Sequence, residues 1–369
     1  DTDAGIIAGH GRLQAATSLG FTQVPVIVLN HLTDAQKRAY IIADNKLALN
    51  AGWDEDLLRA EIATLMEEDF DIPLMGFSDA ELDALLTIHS EEAAGQTDDD
   101  TVPEVPEEPV SKPGDLYILG NHRLLCGDST ILEHVERLLD GHLADMVFTD
   151  PPYNVDYGNT AKDKGRAKTG GKNAGRTILN DNLGEGFEQF LYDVCVNMLS
   201  VCKGALYVCM SSSELHTLQK AFVNAGGKWS TFVIWAKNHF TMGRADYQRQ
   251  YEPILYGWKE GNEHYWCGAR DQGDVWNIQK PVKNDLHPTM KPVELVERAI
   301  RNSSKTQDIV LDCFGGSGTT LIACEKTGRQ ARLIELDPKY VDVIVKRWED
   351  FTGKKAELQD VDLDNKLDK

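Results

Sequence analysis

Short apolar, β-prone runs alternate with helical stretches through the last two thirds of this sequence. A strand followed by a helix returns to its sheet by a crossover connection, and crossovers make neighbouring strands parallel. The alternation therefore predicts an α/β fold, with a mixed, mostly parallel seven-stranded sheet and helices on both faces. The seven predicted strands are residues 116–119, 146–148, 205–210, 232–235, 254–256, 309–311 and 332–334.

Composition divides the chain into a smaller and a larger domain. Residues 91–111 are acidic, contain prolines and have few large apolar side chains, so they are predicted to be an unpacked interdomain linker. Residues 112–354 are predicted to be the large domain, and the polar tail 355–369 is expected to fray. All the motifs that indicate catalysis lie after the linker. Residues 112–369 are therefore expected to be active without residues 1–111.

The N-terminal domain, residues 1–90, is predicted to be a small α/β unit. Its predicted strands are residues 6–8 and 24–29, and its predicted helices are residues 33–44 and 54–68.

The net charge of −21 argues against a nucleic-acid partner, because phosphate binding requires basic side chains. Most of the acidity lies in residues 1–113, which contain 23 acidic and 6 basic side chains. Residues 158–176, in contrast, contain six basic side chains and the single acid Asp163. This segment is predicted either to bind nucleic-acid phosphates or to be a solvated loop. Its basic residues are Lys162, Lys164, Arg166, Lys168, Lys172 and Arg176.

General features exclude several other classes. The sequence shows no basic-then-apolar leader, and no apolar run approaches the about 20 residues of a membrane helix. We therefore expect a cytoplasmic protein without a membrane partner. The seven cysteines include no C-x-x-C pair, so no metal site is predicted.

The tetrapeptide Asp150-Pro151-Pro152-Tyr153 follows the predicted strand 146–148. Ligands of open α/β sheets bind at the carboxyl ends of strands, and two prolines make the turn stiff. The Asp150 carboxylate and the Pro151 carbonyl are candidate acceptors for the hydrogens of an exocyclic amine, and the Tyr153 ring is a candidate surface for base stacking. The alternative is an ordinary proline-rich turn.

A glycine-rich turn, Gly315-Gly316-Ser317-Gly318, joins strand 309–311 to a predicted helix that starts at Thr319. Glycines let the backbone approach a ligand and leave N–H groups free at a helix start, which suits a nucleoside cofactor. Glu335 ends strand 332–334, where such folds bind ribose hydroxyls. The turn is neither a G-x-G-x-x-G motif nor a phosphate loop.

A third motif, His287-Pro288-Thr289-Met290-Lys291-Pro292, precedes a predicted helix at residues 293–302. By itself this motif is typical of a helix start framed by prolines, with a lysine charge that is merely solvated.

Together these motifs resemble the amino-directed DNA methyltransferases of the permuted (beta) class, in which D-P-P-Y precedes F-x-G-x-G. The resemblance covers about residues 113–351, and Gly127-Asp128-Ser129 matches the family's G-D-[ST] turn near the adenine of the cofactor. Cys313 departs from the usual proline. The resemblance implies a Rossmann-like methyltransferase fold and S-adenosylmethionine as cofactor. The cofactor-binding residues that it implies are Asp128, His287, Thr289, Lys291, Asp312, Phe314, Gly316, Ser317, Gly318, Thr319 and Glu335, with His287, Thr289 and Lys291 near the methionine end.

The reaction that the resemblance implies is direct methyl transfer to the amino nitrogen of a base flipped out of double-stranded DNA. The catalytic residues are then Asp150, Pro151, Pro152 and Tyr153. An initial aspartate resembles the adenine-directed members, whereas cytosine-directed members of this class more often begin with serine. Adenine N6 is therefore the predicted target.

The N-terminal domain resembles the ParB-type domain that is fused to some phage and mobile-element methyltransferases. Residues 6–12, 24–26 and 43–46 carry this resemblance. Two roles stay open for this domain. One is nucleotide binding by Gly9, His10 and Arg12, and the other is a structural role that includes formation of a homodimer. Other open alternatives are an N4-cytosine methyltransferase, an enzyme acting on RNA or a protein amide, and a ParB-like DNA-binding scaffold with an inactive methyltransferase half.

Overall fold

The computed structural model divides the chain into two compact units, Asp1–Thr87 and Ile88–Lys369. In the first unit it describes residues 6–7, 16–17, 20–47, 62, 65–66, 70, 77 and 82. In the second unit it describes residues 95–155, 179–240, 246–268, 272–279 and 290–359.

Helix α1, Asp34–Leu47, is the longest helix described in the first unit, which confirms the helix predicted there. It begins with a capping box, in which the Gln36 N–H donates to Oγ1 of Thr33 and the Thr33 N–H donates to Oε1 of Gln36. Residues 62, 65 and 66 are also helical. The small apolar core of this unit contains Ala39, Ile42, Ile62, Leu65 and Phe77.

The strands predicted in the first unit are wrong for the residues that the structure describes. Neither residues 6–7 nor residues 24–29 belong to a strand, and Ala8 lies outside the described residues. Val26 and Ile27 are 76% and 88% exposed. β-branched side chains favour extended backbone, but a strand is stable only when a partner strand and a buried face are present. The regular secondary structure described in this unit is therefore helical, without the strands that its apolar runs predict.

The second unit contains a ten-stranded sheet. Its strands are β1 Leu116–Leu119, β2 His122–Cys126, β3 Met146–Thr149, β4 Leu206–Cys209, β5 Gly227–Ala236, β6 Tyr251–Lys259, β7 Val275–Asn277, β8 Ile309–Asp312, β9 Gln330–Glu335 and β10 Glu357–Gln359. Their order across the sheet is β10-β1-β2-β9-β8-β3-β4-β6-β5-β7.

The helices of this unit are α2 Leu132–Leu139, α3 Phe187–Val201, α4 Leu215–Asn224, α5 Val293–Ser303, α6 Thr319–Thr327 and α7 Pro338–Thr352, and Gly184–Gly186 forms a 3₁₀ turn. Apolar side chains of α5, α6 and α7 pack on one face of the sheet, and those of α2, α3 and α4 pack on the other. The predicted α/β architecture is thereby confirmed. No helix among the described residues is long and apolar enough to span a membrane.

All seven apolar runs predicted as strands form strands, but the predicted number of seven is wrong because β2, β7 and β10 join them. The central strands β2, β9, β8, β3 and β4 are parallel to one another. Antiparallel pairs flank them, β1 with β2 and β10 on one side and β6 with β4 and β5 on the other. The edge strands β7 and β10 have three residues each, too few for a readable apolar pattern. β10 pairs with β1, so the prediction that the tail frays is wrong for residues 355–359.

The segment predicted to be an unpacked linker belongs to the second unit and packs within it, and we call its residues 96–111 the strap. At one end of the strap, the Gln96 N–H donates to the Phe351 carbonyl at 2.8 Å. At the other end, the Ser111 N–H donates to Oδ1 of Asp342 at 3.0 Å. The linker prediction is therefore wrong for these residues. Their backbone finds partners on α7, and the side chains of Asp99 and Asp100 accept from Lys326 of α6 and from the first N–H of α5.

The sheet places its ligand crevice between β3 and β8. These two strands are neighbours, but the chain crosses from β3 to β4 in one direction and from β8 to β9 in the other. At such a switch point the two crossover connections diverge and leave a crevice at the carboxyl ends of the strands.

Candidate active site

A cavity of about 640 Å³ opens at the carboxyl ends of the parallel strands. Its volume is in the range of sites for cofactors and other small molecules. The predicted site residues that line it are Asp128, Asp150, Pro151, Pro152, Tyr153, Lys291, Asp312, Phe314, Gly316, Ser317, Thr319 and Glu335. Gly318 is the N-cap of α6. His287, Thr289 and the six basic residues of segment 158–176 lie outside the described residues.

The carboxylate of Asp150 is held at both oxygens. The Tyr153 hydroxyl donates to Oδ1 at 2.7 Å, and Nζ of Lys291 donates to Oδ2 at 2.6 Å. These bonds, with two prolines that limit the backbone, fix the orientation of the carboxylate. Each oxygen keeps a second lone pair, so Asp150 can still accept a hydrogen bond from a ligand amine.

Two side chains that no motif indicated hold the turn after Tyr153. The backbone N–H of Tyr153 donates to Oδ1 of Asp181 at 3.2 Å. Asn154 adopts the left-handed conformation with φ of 55°, and its Oδ1 accepts from the N–H groups of Leu183 and Gly184. Residues 181–184, which precede α3, therefore hold the tetrapeptide and Asn154 in place.

The buried ammonium of Lys291 is surrounded by acidic and phenolic oxygens. Besides Asp150, its Nζ lies 3.0 Å from the Tyr153 hydroxyl and 3.1 Å from Oε2 of Glu252. Burial by itself lowers the pKa of Lys291, but the carboxylates of Asp150 and Glu252 outweigh it and raise the pKa above its usual value. The resemblance predicted Lys291 near the methionine end of the cofactor, whereas the structure brings its ammonium to Asp150 and Tyr153.

Glu252 connects Lys291 to a second cation, because it also forms an ion pair with Lys237. Burial raises the pKa of Glu252, but the two ammonium groups outweigh burial and lower this pKa to about 2. Burial, followed by the charges of Asp150 and Glu252, raises the pKa of Tyr153 well above its usual value. At neutral pH Glu252 is therefore ionised, and Lys291 and Tyr153 are protonated.

Sequence reasoning missed Glu252 and Lys237, and no local signal identifies them. Glu252 lies on β6 opposite Trp235 of β5, and Lys237 follows the last residue of β5. Only the register between these antiparallel strands brings the two side chains together.

Asp312, at the end of β8, links β8 to β3. Its Oδ1 accepts from Oγ1 of Thr149 at 2.8 Å and from the Phe314 N–H at 3.0 Å, and its Oδ2 accepts from Oγ1 of Thr320 at 2.6 Å. Burial raises the pKa of Asp312 to about 7. The Cys313 N–H donates to Oγ1 of Thr149 at 3.1 Å, a bond that the family's usual proline could not make.

The glycine-rich turn is held to Glu335, at the end of β9. Gly316 and Gly318 have φ of 53° and 83°, in the left-handed region that favours glycine. The Gly316 N–H donates to Oε2 of Glu335 at 2.7 Å, and the Asp337 N–H donates to Oε1 at 2.9 Å. Burial raises the pKa of Glu335 to about 7.

The Gly127-Asp128-Ser129 turn closes the same end of the cavity. The Gly127 N–H donates to the Glu335 carbonyl at 3.0 Å, and Oγ of Ser129 donates to the Cys313 carbonyl. Asp128 and Glu335 thus present carboxylates beside a turn whose backbone a ligand can approach closely. This set of donors and acceptors fits a nucleoside with hydroxyl groups.

The fold and this cavity together define a Rossmann-like methyltransferase. A family model described as DNA methylase, of the N6/N4 methyltransferase type, matches residues 144–346, which is more than half of the chain. The protein belongs to this family of DNA methyltransferases, whose methyl donor is S-adenosylmethionine.

A second model, described as ParB-methyltransferase HTH domain, matches residues 56–113. The match supports a ParB-related N-terminal region and describes it as a helix-turn-helix domain, in agreement with the helical residues of the first unit. Residues 96–111 of this match form the strap.

Individual relatives are more distant. The chain is 26% identical over 221 residues to the type II methyltransferase M2.DpnII of Streptococcus pneumoniae, a match that covers 56% of this chain and 82% of that protein. It is also 26% identical over 260 residues to the type II methyltransferase M.HpaI of Haemophilus parainfluenzae, covering 63% of this chain and 76% of that protein. Among solved structures, that of the M1.HpyAVI-SAM complex matches with a TM-score of 0.46 and 20% identity, covering 61% of this chain and 97% of that chain.

Proposed function

We propose that this protein is a site-specific methyltransferase that acts on N6 of adenine in double-stranded DNA. The observation that carries the proposal is that the Asp150 carboxylate, with its fixed orientation, shares one cavity with the glycine-rich turn and Glu335. A base held by the tetrapeptide and a nucleoside cofactor held by the turn therefore meet at adjacent strand ends. The relatives named type II methyltransferases support the site-specific, restriction-modification context.

An exocyclic amine is a poor nucleophile, because its lone pair is delocalised into the ring of the base. Asp150 and the Pro151 carbonyl counter this by accepting hydrogen bonds from the two amine hydrogens, which draws the nitrogen towards a tetrahedral shape with a localised lone pair. The acceptors are fixed before the base arrives, so little reorganisation is needed during the reaction.

Lys291 and Glu252 keep Asp150 ready for this role. The ammonium of Lys291 holds the Asp150 carboxylate in place, and the carboxylate of Glu252 holds Lys291 in turn and raises its pKa. The ring of Tyr153 provides the stacking surface, since its hydroxyl is held by Asp150.

On the other side of the cavity, bound S-adenosylmethionine would supply a methyl group on a positively charged sulfur. Glu335 and Asp128 would accept hydrogen bonds from its nucleoside, and the backbone of the glycine-rich turn and the ring of Phe314 would border it. Asp312 fixes the spacing between the two sides, because it joins the end of β8 to Thr149 of β3.

The choice of adenine over cytosine rests on Asp150. A carboxylate accepts a charge-assisted hydrogen bond from the amine. This bond is stronger than the one that a serine oxygen would accept, and serine is more common at this position in cytosine-directed members. Stacking on Tyr153 adds little discrimination, since aromatic side chains accept every base.

The test is to methylate DNA in vitro with the full chain, digest it to nucleosides and separate these by mass spectrometry. We expect N6-methyladenine with the wild-type protein and no methylated nucleoside with Asp150→Ala. N4-methylcytosine without N6-methyladenine would contradict the adenine proposal and leave the transferase assignment standing. Sequencing the methylated positions in DNA from expressing cells then gives the recognition site.

A further inference from the structure

The strap contacts two segments that border the cavity, the glycine-rich turn and residues 290–293. One contact runs through Arg347 of α7, which is 2% exposed. Its Nη2 donates to the Asp99 carbonyl of the strap at 2.7 Å, and its Nη1 donates to the Ser317 carbonyl of the glycine-rich turn at 2.9 Å. A single guanidinium therefore joins the strap to the turn.

The second contact is at the start of α5, directly after Lys291. The N-cap residue of this helix is Pro292, whose side chain makes no capping hydrogen bond. Instead, Oδ1 of Asp100 accepts from the Val293 N–H at 3.0 Å and so supplies the missing cap from the strap. Val102 is 5% exposed and packs against Met290, the residue before Lys291.

The two segments are also linked to each other, because Oγ1 of Thr319 donates to the Lys291 carbonyl at 3.3 Å. The strap, the glycine-rich turn and residues 290–293 thus form one connected group. Without the strap, the guanidinium of Arg347 would lose a carbonyl acceptor and the nearby carboxylates of Asp99 and Asp100. A buried cation that lacks partners is costly, so Arg347 would move and release the Ser317 carbonyl.

We propose that residues Asp99 to Val102 of the strap, acting through Arg347 and the cap on α5, are positioning residues of the S-adenosylmethionine site. The affinity for the cofactor then depends on a segment that belongs to the helix-turn-helix match and enters the methyltransferase unit from the N-terminal side. The inference rests on the proposed cofactor role of the glycine-rich turn. It also reverses the expectation that residues 112–369 suffice for activity.

The test uses the full chain and measures the Kd of S-adenosylmethionine by titration calorimetry. Arg347→Met removes the hydrogen bonds to the Asp99 and Ser317 carbonyls and two longer bonds to the hydroxyls of Ser317 and Thr319, and we expect its Kd to rise roughly 10- to 100-fold. Asp100→Ala removes the cap and is expected to raise the Kd about fivefold, whereas Asp100→Asn keeps an oxygen acceptor and should bind almost as the wild type does.

Asp342→Ala is the matched control, because Asp342 holds the other end of the strap at Val110 and Ser111, away from the cofactor segments. It should lower the Tm and leave the Kd within about twofold. Hydrogen exchange adds a second readout: the amides of residues 314–320 should exchange faster in Arg347→Met than in Asp342→Ala.

Two outcomes overturn the inference. One is an unchanged Kd in folded Arg347→Met and Asp100→Ala, which would make the strap merely structural. The other is an equal rise in the Kd for Asp342→Ala. If Arg347→Met does not fold, the comparison of Asp100→Ala with Asp100→Asn decides the question. A wild-type protein that does not bind S-adenosylmethionine would instead contradict the proposed function.

Discussion

Replacing Glu252 with glutamine tests whether the buried ion-pair group around Asp150 contributes to catalysis. The substitution preserves the shape of the side chain and removes its charge. The pKa of Glu252 is lowered from 4.5 to about 2, which corresponds to about 3 kcal/mol in favour of the carboxylate. Because the folded pKa is the lower one, this stabilisation is complete above pH 4.5 and is lost as the pH falls toward 2.

In Glu252→Gln, Lys291 and Lys237 lose their shared anion, and Asp150 alone balances Lys291. If the substitution raises the activation free energy by about half of the roughly 3 kcal/mol, kcat falls by about tenfold. If it raises the activation free energy by nearly all of this amount, kcat falls by about a hundredfold. The pKa of Lys291 falls as well, because one of the two carboxylates that raise it is gone. The alkaline limb of the activity profile should therefore move to lower pH.

The assay is single-turnover transfer of a labelled methyl group to DNA, measured across pH, with the Kd of S-adenosylmethionine measured in parallel. We expect kcat to fall while this Kd stays within about twofold, since Glu252 contacts the Lys291 side and not the glycine-rich turn. Glu188→Gln is the control, because Glu188 also pairs with a lysine, Lys220, but on the surface, where such pairs contribute little. A folded Glu252→Gln protein with wild-type kcat and an unmoved alkaline limb would refute this reasoning.

Three further predictions concern the two sides of the cavity and the basic segment. Asp150→Ala should abolish methyl transfer while S-adenosylmethionine still binds, and loss of cofactor binding by the folded variant, measured by calorimetry, would contradict the placing of Asp150 on the base side. Affinity for S-adenosylmethionine should rise as the pH increases through about 7, because burial raises the pKa of Glu335 to about 7 and the ribose hydroxyls need its ionised form as acceptor. Glu335→Gln should bind the cofactor more weakly and show a flatter pH dependence in the same titration. An unchanged pH dependence in this variant would exclude Glu335 as its source. Replacing Lys164, Arg166, Lys168 and Lys172 with glutamine should weaken DNA binding and reduce the slope of log K against log salt by about 0.9 for each phosphate that the variant no longer neutralises; an unchanged slope would show that the segment does not touch phosphate.

Several parts of the fold follow from local sequence. The central strands β3, β4 and β8 are buried along their whole length, so their apolar runs predict them within a residue or two. Helix α1 is predicted from the helical pattern of residues 33–44. The N-terminal strand 24–29 fails as a prediction because β propensity describes a fit to a pleated, half-buried surface, and its exposed side chains meet no such surface among the described residues.

The sequence by itself determined the α/β class, the tetrapeptide and the glycine-rich turn, because each depends on residues that are neighbours in the chain. Proline and glycine act on their own backbone, and a buried strand shows its apolar run directly. Tertiary structure alone decided the partners of Asp150. Glu252 reaches Lys291 only through strand register, and Asp100 caps a helix that begins 193 residues later in the chain. Charge and hydrogen bonding act through space, so a glutamate on a strand and an acidic strap have no local pattern that reveals what they hold.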